Sequence, residues 1–246
     1  MKHTKTNVRA FLALLLTVTV IASCKKEDLK TNPVVPESTA EQAVEDHLTI
    51  TPERQKVIDF FNQNANARGI ASGAVAAATY RSFNINYQGT VPNDIKTLVN
   101  GEIDQLYATS ASATTKSRMT GARINVYNSP GSGDLFYTNG NVYIVNFQVY
   151  RNVHTAPGNV IFHELFHYLH DRWTSGGFNN STIYNLYNNI RRAGVYPAGS
   201  YVLSNQAEYF AVTAEAKYCS TNRPPYNAST VASSDPNCNN YLNTNF

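Results

Sequence analysis

Apolar positions recur at helical spacing between Pro92 and Ala108, where Ile95, Leu98, Val99, Ile103, Leu106 and Tyr107 fall on one face. That pattern predicts an amphipathic helix. An earlier helix is predicted from Thr51-Pro52-Glu53, which offers a cap, a proline at the first helical position and an acid in the first turn. It would run to about Ala67, bury Val57, Ile58, Phe60 and Phe61, and end at Gly69. Residues 70–90 are mixed: Ala71 to Ala78 is small and apolar, while Ser82 to Gln88 alternates Phe83, Ile85 and Tyr87 as a strand would. The Ser/Thr/Ala-rich stretch 109–120 reads as a loop.

The period then changes to two. Ala122–Asn128, Asp134–Thr138 and Val142–Gln148 are strand-like, and Asn139-Gly140 is a hairpin turn signal. After Pro157-Gly158 the period returns to that of a helix, over Asn159 to about Trp173, Ser181 to Ala193 and Leu203 to about Tyr218. Strands before residue 150 and helices after it predict an α+β fold with a small mixed sheet. The Pro-, Asn- and Ser-rich stretch from Ser220 reads as a tail.

Composition adds a compartment. Charged residues make up only 15% of the 246, so the surface must be built largely from Asn, Ser, Thr and Tyr. The net charge of +3 carries no basic stripe interleaved with aromatics, so nucleic acid is not an expected partner. Lys2, Lys5 and Arg9 precede an apolar run, Ala10 to Ala22, too short to span a bilayer. This reads as a signal peptide over 1–23. Ile21-Ala22-Ser23-Cys24 resembles the lipobox of bacterial lipoproteins, which implies lipidation of Cys24 and an exported chain anchored in the bacterial cell envelope. Residues 24–50 then form the lipidated tether, and 51–246 a single domain. Its expected parts are an N-terminal helical part (51–118), a catalytic core (119–218) and a tail (219–246). Of the 3 cysteines, Cys219 and Cys238 remain. In an oxidising compartment they are expected to form a disulfide that pins the tail, worth roughly 3 kcal/mol.

His163-Glu164-Leu165-Phe166-His167 is an H-E-x-x-H. On a helix the two histidines stand one turn apart on one face, about 6 Å along the axis. Both imidazoles can then converge on one Zn²⁺, with Glu164 beside them as general base. A third protein ligand is needed. His170 shares the face but lies about 10 Å along the axis from His163, and reads better as a residue supporting the site or lying on the surface. Glu208, flanked by Ala207, Phe210 and Ala211, is the better candidate, because a carboxylate buried in such a run needs a partner.

With Tyr201, Asn205, Ala207, Glu208, Phe210 and Ala211, the chain carries Y-x-x-x-N-x-A-E-x-F-A downstream of H-E-x-x-H. Over roughly residues 120–218 this resembles the catalytic domain of the anthrax lethal factor family, within the gluzincins. The resemblance implies a zincin-like domain with an H-E-x-x-H helix and a C-terminal helical part carrying the third ligand. It makes Glu208 that ligand and gives Tyr201 a catalytic role; without it, Tyr201 would be a packing residue. Asp171, four residues after His167, is either a partner of a ligand ring or a helix-end acid. Where the family usually has an acid four residues after the ligand Glu, this chain has Val212, and the next acid is Glu215. The expectation is a monomeric, one-zinc endopeptidase acting on peptides or proteins. An extended substrate would lie along Val142–Tyr150 as edge strand, with Val149–Gly158 as a rim of the cleft. The alternatives are a zinc-binding surface lipoprotein without proteolysis, a zinc amidase acting on cell-wall peptides, and a metal-free structural protein of the envelope.

Overall fold

Thr51 starts the first helix as its side chain predicts: Oγ1 accepts from the Arg54 amide at 3.2 Å, and α1 spans Pro52–Asn66. The computed structural model describes residues 50–66, 76–129, 135–154 and 157–246. The expected signal peptide, Cys24 and nearly all of the tether lie outside the described residues. No helix among the described residues is long and apolar enough to cross a membrane.

The chain continues through β1 (Ala76–Tyr80), β2 (Phe83–Tyr87), α2 (Asn93–Ala108), α3 (Ala113–Met119), β3 (Arg123–Val126), β4 (Leu135–Thr138), β5 (Asn141–Ile144), α4 (Phe147–Val153) and α5 (Val160–Trp173). After them come α6 (Ser181–Ala193), α7 (Gln206–Cys219), α8 (Ala228–Ser234) and α9 (Pro236–Asn245), with short 3-10 turns at Gly177–Asn179 and Tyr201–Leu203. The five strands lie in the order β1-β2-β3-β5-β4. β2, β3 and β5 are parallel, and β1 and β4 are antiparallel flanks. The described residues therefore form an α+β fold with one small mixed sheet and nine α-helices.

One face of the sheet meets α1, where Val57, Ile58 and Phe61 pack on Phe136, Tyr143 and Val145. The other face carries the main core. There Ile85, Ile124, Val142 and Ile144 join Ile103 and Leu106 of α2 and Ile161, Leu165 and Leu169 of α5. Every residue of α5 from Ile161 to His170 is buried, as expected for a helix enclosed on all sides.

Four sequence expectations are corrected. Val142–Tyr150 is not an edge strand: β5 is interior, between β3 and β4, and β4 is the outermost of the described strands. Asn139 (φ 47°) and Gly140 (φ 81°) supply the paired positive φ of a tight hairpin, which folds β4 back outside β5. Asn146 then ends the strand by capping α4, its Oδ1 accepting from Gln148 and Val149 amides at 3.1 Å each. Residues 109–120 hold α3, capped by Ser112. The region from Ser220 holds α8 and α9, capped by Asn227 and Asp235, and the Phe246 ring packs with Phe166, Phe210 and Tyr241. Cys219 and Cys238 do not join; both are free. Cys219 is half-buried at the end of α7 and Cys238 is fully buried on α9.

Candidate metal centre

The helix that carries H-E-x-x-H begins at a densely satisfied corner. Asn159 caps α5, its Oδ1 accepting from the Phe162 amide at 2.8 Å. Glu102, buried on α2, takes two more of the first-turn amides: Val160 N donates to Oε1 and Ile161 N to Oε2, both at 3.0 Å. The Tyr150 hydroxyl donates to Glu102 Oε2 at 3.1 Å, and His154 Nε2 lies 3.1 Å from Oε1. A carboxylate at a helix N-terminus is doubly favoured, by the orphan amides and by the helix dipole. The N-terminal part of the domain thus sets where α5 starts, and with it where the histidines sit.

Burial opposes the charge on His154, but the hydrogen bond and charge of Glu102 outweigh it and raise the pKa above 6.5. A raised histidine contributes stability that is fully present below the unfolded value, near 6.5, and is lost as pH rises through the folded one. His154→Ala should therefore lower the thermal midpoint most below about pH 6 and progressively less toward alkaline pH. Unfolding curves across pH check this; a deficit independent of pH would show that the pair is not ionic.

His163 and His167 project from one face of α5 toward α7, and Glu208 projects back from the first turn of α7. Asn205 caps α7 through the Ala207 and Glu208 amides, both at 2.9 Å. Ala207, Ala211 and Ala214 keep the buried side of that helix thin. His163 Nε2 is 3.2 Å from Glu208 Oε2 and 3.2 Å from His167 Nε2, and His167 Nε2 is 3.4 Å from Glu208 Oε1. Donors on a tetrahedral ion with bonds of about 2.0–2.1 Å stand about 3.3–3.4 Å apart. The three side chains are all buried, and the group can hold a metal ion.

Charge points the same way. Glu164, Glu208 and Glu215 are all buried, and the nearby guanidinium is that of Arg223, paired to Glu215. Among the described residues, three carboxylates against one cation leave a formal surplus of two negative charges when both histidines are neutral, and a divalent ion cancels it. Without an ion, His163 itself is drawn toward the cationic form. Burial opposes this, but Glu208 and Glu215 raise its pKa to about 10. Burial likewise opposes the charge of Glu208, yet the two histidines hold its pKa well below the usual range.

Glu215 fills the place left open by Val212. Its Oε2 is 3.3 Å from His163 Nδ1, so it can fix the ring tautomer from behind, as carboxylates commonly do for metal-bound histidine. Its Oε1 accepts from the Asn159 amide at 3.0 Å. A Cβ at Gly158 would come within 2.8 Å of that oxygen, and its φ of 147° suits glycine. Seven residues on a helix amount to nearly two turns, so Glu215 shares the face of Glu208. That spacing was the signal available in the sequence.

Asp171 does not support a ligand ring. The Tyr137 hydroxyl donates to its Oδ2 at 2.5 Å and Arg172 Nε lies 2.9 Å away, tying the end of α5 to β4. His170 is outside the donor group. It is buried between Phe178 and Phe210, with ring centroids at 5.1 and 5.2 Å, and burial, then the charge of His167, lowers its pKa to about 3.

Beside His163 opens a cleft of about 480 Å³. Leu135 of β4, Val149 and Val153 of α4, and Pro157 and Gly158 line it, together with His163, Glu164, Tyr201 and Arg223. Val149, Val153, Pro157 and Gly158 of the expected rim are among them. Among the described residues, none of those lining the cleft comes from 51–118. The Tyr201 ring sits 6.2 Å from that of His163. Burial, then the charge and hydrogen bond of Glu208, push its phenol pKa far upward, so the hydroxyl remains a donor. No family model, curated protein or solved structure matches the chain.

Proposed function

We propose that the chain is a zinc-dependent endopeptidase of the gluzincin type, with a zincin-like domain resembling the lethal factor catalytic domain, carried on a bacterial envelope lipoprotein anchored through Cys24. The observation that carries this reading is the spacing of the His163, His167 and Glu208 donors, 3.2 to 3.4 Å apart, next to a buried Glu164 that opens on the same cleft. Two imidazoles and one carboxylate with a position left open are the donor set of a catalytic zinc site. A bound zinc ion supplies Lewis acidity, making water a nucleophile at neutral pH and polarising a carbonyl. Glu164 takes the proton of the attacking water and delivers it to the leaving amine. Tyr201, held protonated, donates to the oxygen on which negative charge develops. An extended peptide lies beside β4, the outermost of the described strands, whose Leu135 lines the cleft.

The test is cleavage of a diverse peptide library by the purified chain, metal-free and zinc-reconstituted, beside Tyr201→Phe. The reconstituted protein should cleave and a chelator should stop it. Tyr201→Phe should keep its metal and lose about 10- to 100-fold in kcat. Zinc binding without cleavage of any peptide would favour a non-proteolytic metal-binding lipoprotein.

A further inference from the structure

Arg223 lies between α7 and α8, in a loop that fixes its backbone. Its carbonyl accepts from Thr221 Oγ1 at 2.6 Å and from the Tyr226 amide at 2.8 Å, and Thr221 N donates to Tyr226 O at 2.6 Å. The side chain from this anchored position touches two parts of the site. Nη2 donates to Glu215 Oε2 at 3.1 Å, and that oxygen is 3.3 Å from His163 Nδ1. The guanidinium carbon lies 4.5 Å from the centre of the Tyr201 ring. Among the described residues, no other Arg or Lys lines the cleft.

We propose that Arg223 is a positioning residue that ties the carboxylate behind His163 to the Tyr201 ring in the wall of the cleft. This rests on the metallopeptidase reading above. Arg223 is not a hook for an acidic substrate, because Glu215 already offsets its charge. Its charge is also not the main point, since the side chain is 39% exposed and exposed pairs are worth little. The shape is what matters. A planar guanidinium can present an N–H edge to Glu215 and its face to Tyr201 at once, and a lysine ammonium can do only the first. Asn159 N holds Oε1 of Glu215, and Arg223 completes the set on Oε2, so the carboxylate stays aligned with His163. The face on Tyr201 restrains the phenol against the wall of the cleft.

The experiment compares the full-length chain with Arg223→Ala and Arg223→Lys. Zinc dissociation constants come from chelator competition, kcat and KM from peptide cleavage, and folding from thermal midpoints. Arg223→Ala should weaken zinc about 10-fold and lower kcat about 10-fold with KM changed less than about twofold. Arg223→Lys should recover zinc affinity to within about threefold while kcat stays low. That split is one a purely structural loop residue would not produce. Arg223→Ala with wild-type zinc affinity and kcat overturns the proposal. Should Arg223→Ala not fold, Arg223→Lys decides alone: retained affinity with lost kcat supports it, and wild-type values for both overturn it. An unmodified chain that binds no zinc would sink the metallopeptidase reading and this inference with it. One that binds and cleaves beside indistinguishable Arg223 variants would sink this inference only.

Discussion

Glu164→Gln is expected to lower kcat about 10³-fold or more while zinc content stays at one ion per chain. Glutamine keeps the shape and the buried volume of the side chain but cannot accept the proton of an attacking water. Glu164 is not among the three metal donors, so the ion has no reason to leave. The comparison is kcat per zinc-loaded molecule. Wild-type turnover in the variant would remove Glu164 from the chemistry and leave the proton with another group.

Glu208→Ala is expected to weaken zinc on the order of 10²- to 10³-fold, since one of three protein ligands is lost from a binding free energy of order 10 kcal/mol. The loss should exceed that in Glu215→Ala, which removes only the support of a ligand ring, worth about 10- to 100-fold. Chelator competition on both variants gives the ranking. Equal losses would mean that the acid behind His163 matters as much as the acid in front of it, and a normal affinity in Glu208→Ala would move the third ligand elsewhere.

The order of these effects follows from features that were unevenly legible in the sequence. His163, Glu164 and His167 were legible because the helical period places an i, i+4 pair on one face regardless of what surrounds it. Glu208 was legible because a lone acid among Ala207, Phe210 and Ala211 has to be satisfied by something. The helices α1, α2, α5 and α6 and the Asn139-Gly140 hairpin followed from period and caps. Glu102 was not legible, because its role is to meet the amides of Val160 and Ile161, nearly sixty residues away, and nothing local in α2 marks it. Arg223 was hidden for the same reason: it lies in a Pro- and Asn-rich stretch and acts through Glu215 and Tyr201. The edge strand was misread because alternation continues through Val145, Phe147 and Val149. The Asn146 cap that ends β5 outweighs that alternation, and the hairpin decides which strand lies outermost. The tail was misread because α8 and α9 are short and polar. Their signals, Asn227 and Asp235-Pro236, are caps without an apolar run behind them, and burial of Val231, Cys238, Leu242 and Phe246 supplies the rest.

The most direct test is zinc X-ray absorption on the purified full-length chain, with metal content measured on the same sample. The expected result is one zinc per chain in a four-coordinate shell, two imidazole nitrogens and oxygen ligands at about 2.0–2.2 Å, lost on His167→Ala. Zinc well below one per chain after reconstitution, or a shell without imidazole, would contradict a shared ion held by His163, His167 and Glu208.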